Sequence, residues 1–204
     1  MKRFSAIIAA LLVFVFTAFG CATMSSDSGW VTLIDNGKGI ENFNAIGDAN
    51  WRVQDGALVA DKGKGGHLVS KNSYKNFQIR AEFWAETGTN SGIFVRASNP
   101  SKIGADSAYE VNIYDLRPGQ EFATGGIVNF GRIPVPNKYQ AAGKWNTFMI
   151  TAKDTNLIVE LNGVQTVNIY DSKFASGPFT LQFGNHGKEP GGAIKWRKVQ
   201  VKPL

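Results

Sequence analysis

Between Asn90 and Asp115 the chain alternates apolar and polar residues twice, in NSGIFVRA and in AYEVNIYD, around a connection rich in Ser, Pro, Gly and Asp. Period-two alternation marks a strand, because successive side chains leave a pleated backbone on opposite faces. Two such runs flanking a turn-rich loop predict paired strands. Parity then sets Ile93 and Val95 on one face, and Gly92, Phe94 and Arg96 on the other. In the second run Val111 and Ile113 oppose Glu110, Asn112 and Tyr114. Each run has an apolar face for a core and a polar face carrying an aromatic ring. Such a sheet covers a core on one side and holds a polar ligand on the other, although a hairpin with one solvated face reads the same way.

The pattern recurs along the chain. WVTLID (30–35) ends at Asn36-Gly37, and WRVQDGALVA (51–60) folds back at Asp55-Gly56. FQIRAEFW (77–84) sets Phe77, Ile79, Ala81 and Phe83 against Gln78, Arg80, Glu82 and Trp84. GKWNTFMITAK (143–153), the runs on either side of Asn162-Gly163, FTLQF (179–183) and the closing AIKWRKVQVKPL continue the series. Asp-Gly and Asn-Gly between apolar runs are strong hairpin signals. Residues 38–49 read as irregular, and 61–66 as a Gly/Lys loop with no following helix to make it a phosphate cradle. In FATGGIVNF (122–130) the Gly125-Gly126 step marks a bend or a close backbone approach to a ligand. No segment after the leader keeps a 3.6-residue period. Short runs separated by Gly, Asn and Asp turns predict an all-β sandwich or jelly roll in one domain, residues 30–204.

The first residues follow another logic. Met1-Lys2-Arg3, an apolar run from Ala6 to Phe19, then Gly20-Cys21 read as a signal peptide over residues 1–20. The run is short for a membrane span. Cys21 is the single cysteine of the chain, so no internal disulfide forms. AFGC resembles a bacterial lipobox, which makes Cys21 the expected lipidation site. The small and polar residues 21–29 then form a tether to the membrane. The expected location is the outer membrane, facing the periplasm, with a soluble periplasmic or secreted form after ordinary cleavage as the alternative.

Composition narrows the function. The 204 residues are 43% hydrophobic and 12% aromatic, as in a globular protein. The net charge of +6 includes Lys2 and Arg3 of the leader; the remaining 20 basic residues face 16 acidic ones without forming any run. That spread argues against a nucleic-acid surface. His67 and His186 lie far apart and there is no second cysteine, which excludes a Cys/His zinc site. No cofactor is expected. A divalent cation held by Asp115, Glu110 and loop carbonyls is conceivable, but nothing signals it.

What recurs is polar chemistry opposite the core: Glu82, Arg96, Glu110, Asn112 and Gln182, with Trp84, Phe94 and Tyr114. Carboxylate, amide and guanidinium groups hydrogen-bond sugar hydroxyls, and an aromatic plane packs on the C–H face of a pyranose. If the strands are neighbours, these residues line a sugar cleft. Solvent exposure, or ion pairs with Arg80 or Arg96, accounts equally for the acidic residues.

NSGIFVR, YEVNIYD, TGGI, GKWN, LNG, the LQF…HG stretch and the final IKWRKVQVKPL occur in the order typical of the 3-keto-disaccharide hydrolase domain, which this chain resembles from Trp30 to Leu204. The resemblance implies a concanavalin A-like jelly-roll sandwich of two antiparallel sheets with a concave sugar-binding face, and action on 3-keto glycosides. It assigns the motif residues to Arg96, Glu110, Asp115 and the histidine of the late HG, His186. Asn112 stands where the family usually has Gln, and Gly126 and Val128 replace Ala and Tyr of TGAIY. The expected chemistry removes the C2 proton with Glu110, steadies the enolate with Arg96 and uses His186 or Asp115 as acid. The alternative is a non-catalytic carbohydrate-binding lipoprotein using the same face.

Overall fold

A computed structural model describes residues 28–184 and 192–204. The signal, most of the tether, Cys21 and His186 lie outside the described residues. Thirteen strands account for the fold among those residues: β1 (Val31–Asp35), β2 (Phe43–Gly47), β3 (Arg52–Gln54), β4 (Ala57–Ala60), β5 (Gly65–Ser70), β6 (Phe77–Ala85), β7 (Ser91–Val95), β8 (Tyr109–Ile113), β9 (Trp145–Lys153), β10 (Asn156–Leu161), β11 (Val164–Tyr170), β12 (Thr180–Gly184) and β13 (Ile194–Pro203). An eight-stranded sheet runs β11-β10-β9-β6-β13-β4-β3, with β1 also on β13, and a five-stranded sheet runs β2-β5-β12-β7-β8. All the strand pairings are antiparallel. The expected sandwich of two antiparallel sheets is what forms.

The core lies between the sheets, where alternation puts it. Phe77, Ile79, Ala81 and Phe83 of β6 meet Ile93 and Val95 of β7, Val111 and Ile113 of β8 and Leu181 and Phe183 of β12 in one apolar cluster. Phe83 stacks on Phe148, with ring centroids 4.9 Å apart. The Asn162-Gly163 turn has Asn162 at φ 53° and Gly163 at φ 78°, the two left-handed positions that a tight hairpin needs.

Two segments depart from expectation. Residues 43–47 form β2, an edge strand beside β5, whose largely exposed side chains leave no alternation to read. Residues 122–130 form no strand but a run of turns folded against β8, with Asn112 N–H donating to the Gly126 carbonyl and Val128 N–H to the Glu110 carbonyl.

Candidate functional site

The outer face of the five-stranded sheet is built in rows, because antiparallel register sets one residue from each strand side by side. Phe94 of β7 lies opposite Glu110 of β8 and opposite Thr180 of β12. One step along, Gly92 lies opposite Asn112, and Gln182 of β12 opposite His67 of β5. Continuing the β7–β12 register brings Gln182 alongside Gly92, and Ser91 Oγ donates to the Gln182 carbonyl at 2.5 Å. Glu110, Asn112 and Gln182 therefore share one surface, as parity indicated.

Glu110 is 9% exposed, and its carboxylate has no hydrogen-bond partner among the described residues. Burial pushes its pKa up from 4.5 to about 7, against the opposing pull of the Arg117 charge. Asn112 is fully buried; its Nδ2 donates to the Phe122 carbonyl at 2.6 Å, which turns Oδ1 away from that bond and leaves it without a partner. Gln182 Oε1 is likewise buried and unpartnered. Gly92 supplies the floor: a methyl group there would lie 3.5 Å from Glu110 Cγ and 2.9 Å from the Val111 carbonyl oxygen.

Two strands from β8 the face deepens into an open cleft of about 360 Å³, between His67, Gln182 and the Gly65-Gly66 backbone on one side and residues 101–103 on the other. His67 Nδ1 is 3.0 Å from Thr180 Oγ1, and burial lowers the His67 pKa to about 4, so the ring is neutral at pH 7. No residue of β7 or β8 lines this cleft, so Glu110 lies outside it on the same face.

Six expected site residues lie elsewhere or are otherwise engaged. Arg96 follows the last residue of β7 with φ 56°, a left-handed turn that breaks the alternation and swings its side chain off the polar face. Its guanidinium is fully buried, donating to the carbonyls of Lys75 (2.7 and 3.0 Å), Asp154 (2.8 Å) and Phe174 (3.4 Å). It ties three loops together and does not meet Glu110. Asp115 accepts from Thr124 Oγ1 at 2.6 Å and from Ala141 and Ala142 N–H at 2.9 Å, so both its oxygens are committed to holding segments around β8 and neither completes a cation site with Glu110. Among the described residues no cluster of three His, Cys, Asp or Glu side chains forms. Glu82 and Trp84 belong to the outer face of the other sheet, where Glu82 pairs with Arg197 at 2.6 Å and the Lys195 ammonium sits 4.5 Å from the Trp84 ring centre. Phe94 is on the expected face but covered: it is 1% exposed, packs with Ala97, Ala108 and Ile103, and meets the His67 ring edge-on at 5.0 Å. It props up the site and offers no flat ring to a sugar. Tyr114, half-buried just past β8, ties its backbone N–H to Thr124 Oγ1.

Three residues escaped the sequence reading. Arg117 brings its charge to Glu110 and keeps a buried, unpartnered Nε. His67 gave no signal because its partners are distant in sequence. Asn90 was within reach, since extending the β7 alternation back by one step puts it on the face of Gly92. It is 5% exposed, with both amide atoms unpartnered.

The comparisons with known proteins agree with this fold. A 3-keto-disaccharide hydrolase from Bacteroides thetaiotaomicron is 27% identical over 147 residues, which cover 58% of this chain and 50% of that protein. The chain thus spans about half the length of the curated relative it matches. A candidate glycosyl hydrolase from Parabacteroides distasonis superposes with a TM-score of 0.67 at 24% identity, over 86% of this chain and 99% of the other. The carbohydrate-binding module CBM66 from Bacillus subtilis superposes with a TM-score of 0.58 at 13% identity, over 85% and 95%. The family profile described as the 3-keto-alpha-glucoside-1,2-lyase-like domain matches residues 29–202, and the chain belongs to that family.

Proposed function

We propose that this protein cleaves 3-keto glycosides, with Glu110 as the base. The observation that carries the reading is Glu110 itself: a buried, unpaired carboxyl with its pKa near 7, on a face where two further side chains hold unpartnered amide oxygens. A carboxylate with that pKa is matched to a proton of modest acidity at neutral pH. A C3 ketone acidifies the C2 proton of a glycoside. The Glu110 carboxylate takes that proton, and the electron pair moves into an enolate on O3. The Arg117 charge, already felt at Glu110, stabilises that oxygen in the role expected of Arg96. Collapse of the enolate expels the C1 oxygen, which takes a proton from the newly formed Glu110 acid or from His186, and leaves a C1=C2 bond. Water added across that bond gives the 3-keto sugar, completing net hydrolysis. The route needs one base and one cation, not the opposed carboxylate pair of ordinary glycosidases.

The name of the Bacteroides relative and the family assignment support this substrate class. AFGC at residues 18–21 supports export and lipid anchoring through Cys21. Incubation of the purified protein with 3-keto-trehalose is the test. Release of monosaccharide that Glu110→Gln abolishes is expected. Release that persists in Glu110→Gln sinks the assignment, and saccharide binding with no release selects the non-catalytic lipoprotein.

A further inference from the structure

Asn90 stands outside the chemistry just described, and its surroundings say what it meets. It closes an isolated bridge with Gly184, whose N–H donates to the Asn90 carbonyl at 2.8 Å. Its side chain makes no hydrogen bond: Oδ1 and Nδ2 are both buried and without a partner among the described residues. A methyl group at Gly184 would sit 3.1 Å from Asn90 Nδ2 and 3.2 Å from Gln182 Cδ, so the two carboxamides flank one position that has no side chain. Gly92, one step along β7 on the same face, repeats the arrangement between Glu110 and Asn112. The sheet thus has two bare floor positions, with the unpartnered amide atoms of Asn90, Gln182 and Asn112 around them.

Burying polar groups without partners costs stability, and a fold retains such groups where a ligand, an ion or an ordered water completes them. A carboxamide offers a donor and an acceptor together, which suits a hydroxyl that both gives and takes a hydrogen bond. Gly184 lies two inter-strand spacings, about 10 Å, across the sheet from β8 and about 13 Å along β12 from the row of Glu110, so its floor lies beyond the group that Glu110 attacks yet on the same face. From this geometry we infer that Asn90, with Gln182, forms a specificity-determining cradle over Gly184 that binds hydroxyl groups of the saccharide away from the reacting carbon. The inference rests on the reading of this face as a 3-keto-glycoside site. It adds that the protein selects a polyhydroxylated ligand rather than any ketone with a leaving group beside it.

Asn90→Ala tests this, because the side chain removed makes no hydrogen bond among the described residues. The substrates are 3-keto-trehalose and its monodeoxy analogues. The wild type should lose at least tenfold in kcat/KM on one or more deoxy analogues. Asn90→Ala should lose at least tenfold on the parent compound, with little further loss on those analogues, because a site that binds a hydroxyl discriminates through the groups left unpaired. Its melting temperature should be equal to or above the wild type's, an outcome that a merely structural asparagine does not give. Gly184→Ala, which fills the floor, should reproduce the kinetic loss. A deoxy profile shared by wild type and Asn90→Ala overturns the cradle, even if turnover is normal. If no form of the protein turns over a keto glycoside, the catalytic reading fails separately. Calorimetry with trehalose then decides the cradle: binding at least tenfold weaker in Asn90→Ala supports it, and equal binding or none in either form overturns it.

Discussion

The outer faces of the two sheets are made from similar residues and behave differently. On the eight-stranded sheet the polar side chains of Arg80 and Glu82 on β6 and of Arg197 and Gln200 on β13 meet neighbours. Glu82 holds Arg197 at 2.6 Å, Arg80 Nε donates to Gln200 Oε1 at 2.9 Å, and Gln200 Nε2 donates to Thr32 Oγ1 at 3.0 Å. Cations cover the rings there: Lys195 lies over Trp84, Arg197 over Trp145 and Arg80 over Trp30. On the five-stranded sheet Asn112, Gln182 and Asn90 keep buried amide atoms without partners, and the Glu110 carboxyl, 9% exposed, has no hydrogen-bond partner among the described residues. A surface that satisfies its own polar groups is finished as it stands. A surface that buries them unsatisfied is built for something that arrives later.

The comparison can be broken most severely at Glu110. Glu110→Gln should lower kcat on a 3-keto disaccharide by about 10²–10⁴-fold, the usual contribution of a general base; a loss under tenfold removes the distinction between the faces. Arg96→Met should act the other way, costing at least about 3 kcal/mol in a denaturant titration through its lost buried hydrogen bonds and poorer packing, with kcat preserved in the folded fraction.

Two opposed pH dependences come next. The Glu110 pKa is raised on folding, so the folded state holds a proton that the unfolded state has lost between pH 4.5 and about 7, and stability falls as pH rises through that window. The His67 pKa is depressed, so stability rises from about pH 4 to 6.5. Each change corresponds to about 3 kcal/mol at 1.36 kcal/mol per tenfold change in proton affinity. In the wild type they largely cancel. Chemical denaturation of Glu110→Gln across this range should show the rise alone, and His67→Gln the fall alone; two flat profiles would refute both burial effects. Arg117→Met should move the pH midpoint of kcat/KM upward by less than one pH unit, since the charge that favours the Glu110 carboxylate is gone. The smallest effect belongs to the finished face. Glu82→Gln should change stability by no more than about 0.5 kcal/mol, the scale of a partly exposed ion pair, and leave turnover alone.

Alternation made most strands legible, and with them the inward set Phe77, Ile79, Ile93, Val111 and Leu181. It also fixed which side of its own strand each polar residue takes, so Glu110, Asn112 and Gln182 were found together. Parity is silent on which sheet a strand joins, and Glu82 and Trp84 went to the wrong layer for that reason. It also fails where the backbone turns left-handed: φ 56° at Arg96 moved a side chain that looked well placed. The pairing of Arg117 with Glu110 depends on how a loop returns over β8, and no periodic pattern encodes that.

The Arg96 anchor has an evolutionary consequence. It fastens the loops at Lys75, Asp154 and Phe174 without touching Glu110, so the anchor and the proposed catalytic carboxyl are separate residues. A descendant that loses Glu110 keeps its anchor and its outline. An arginine at that place in another chain therefore speaks for the shell alone, and under the proposed mechanism the carboxyl two strands' width from Gln182 is the separate mark of a working enzyme.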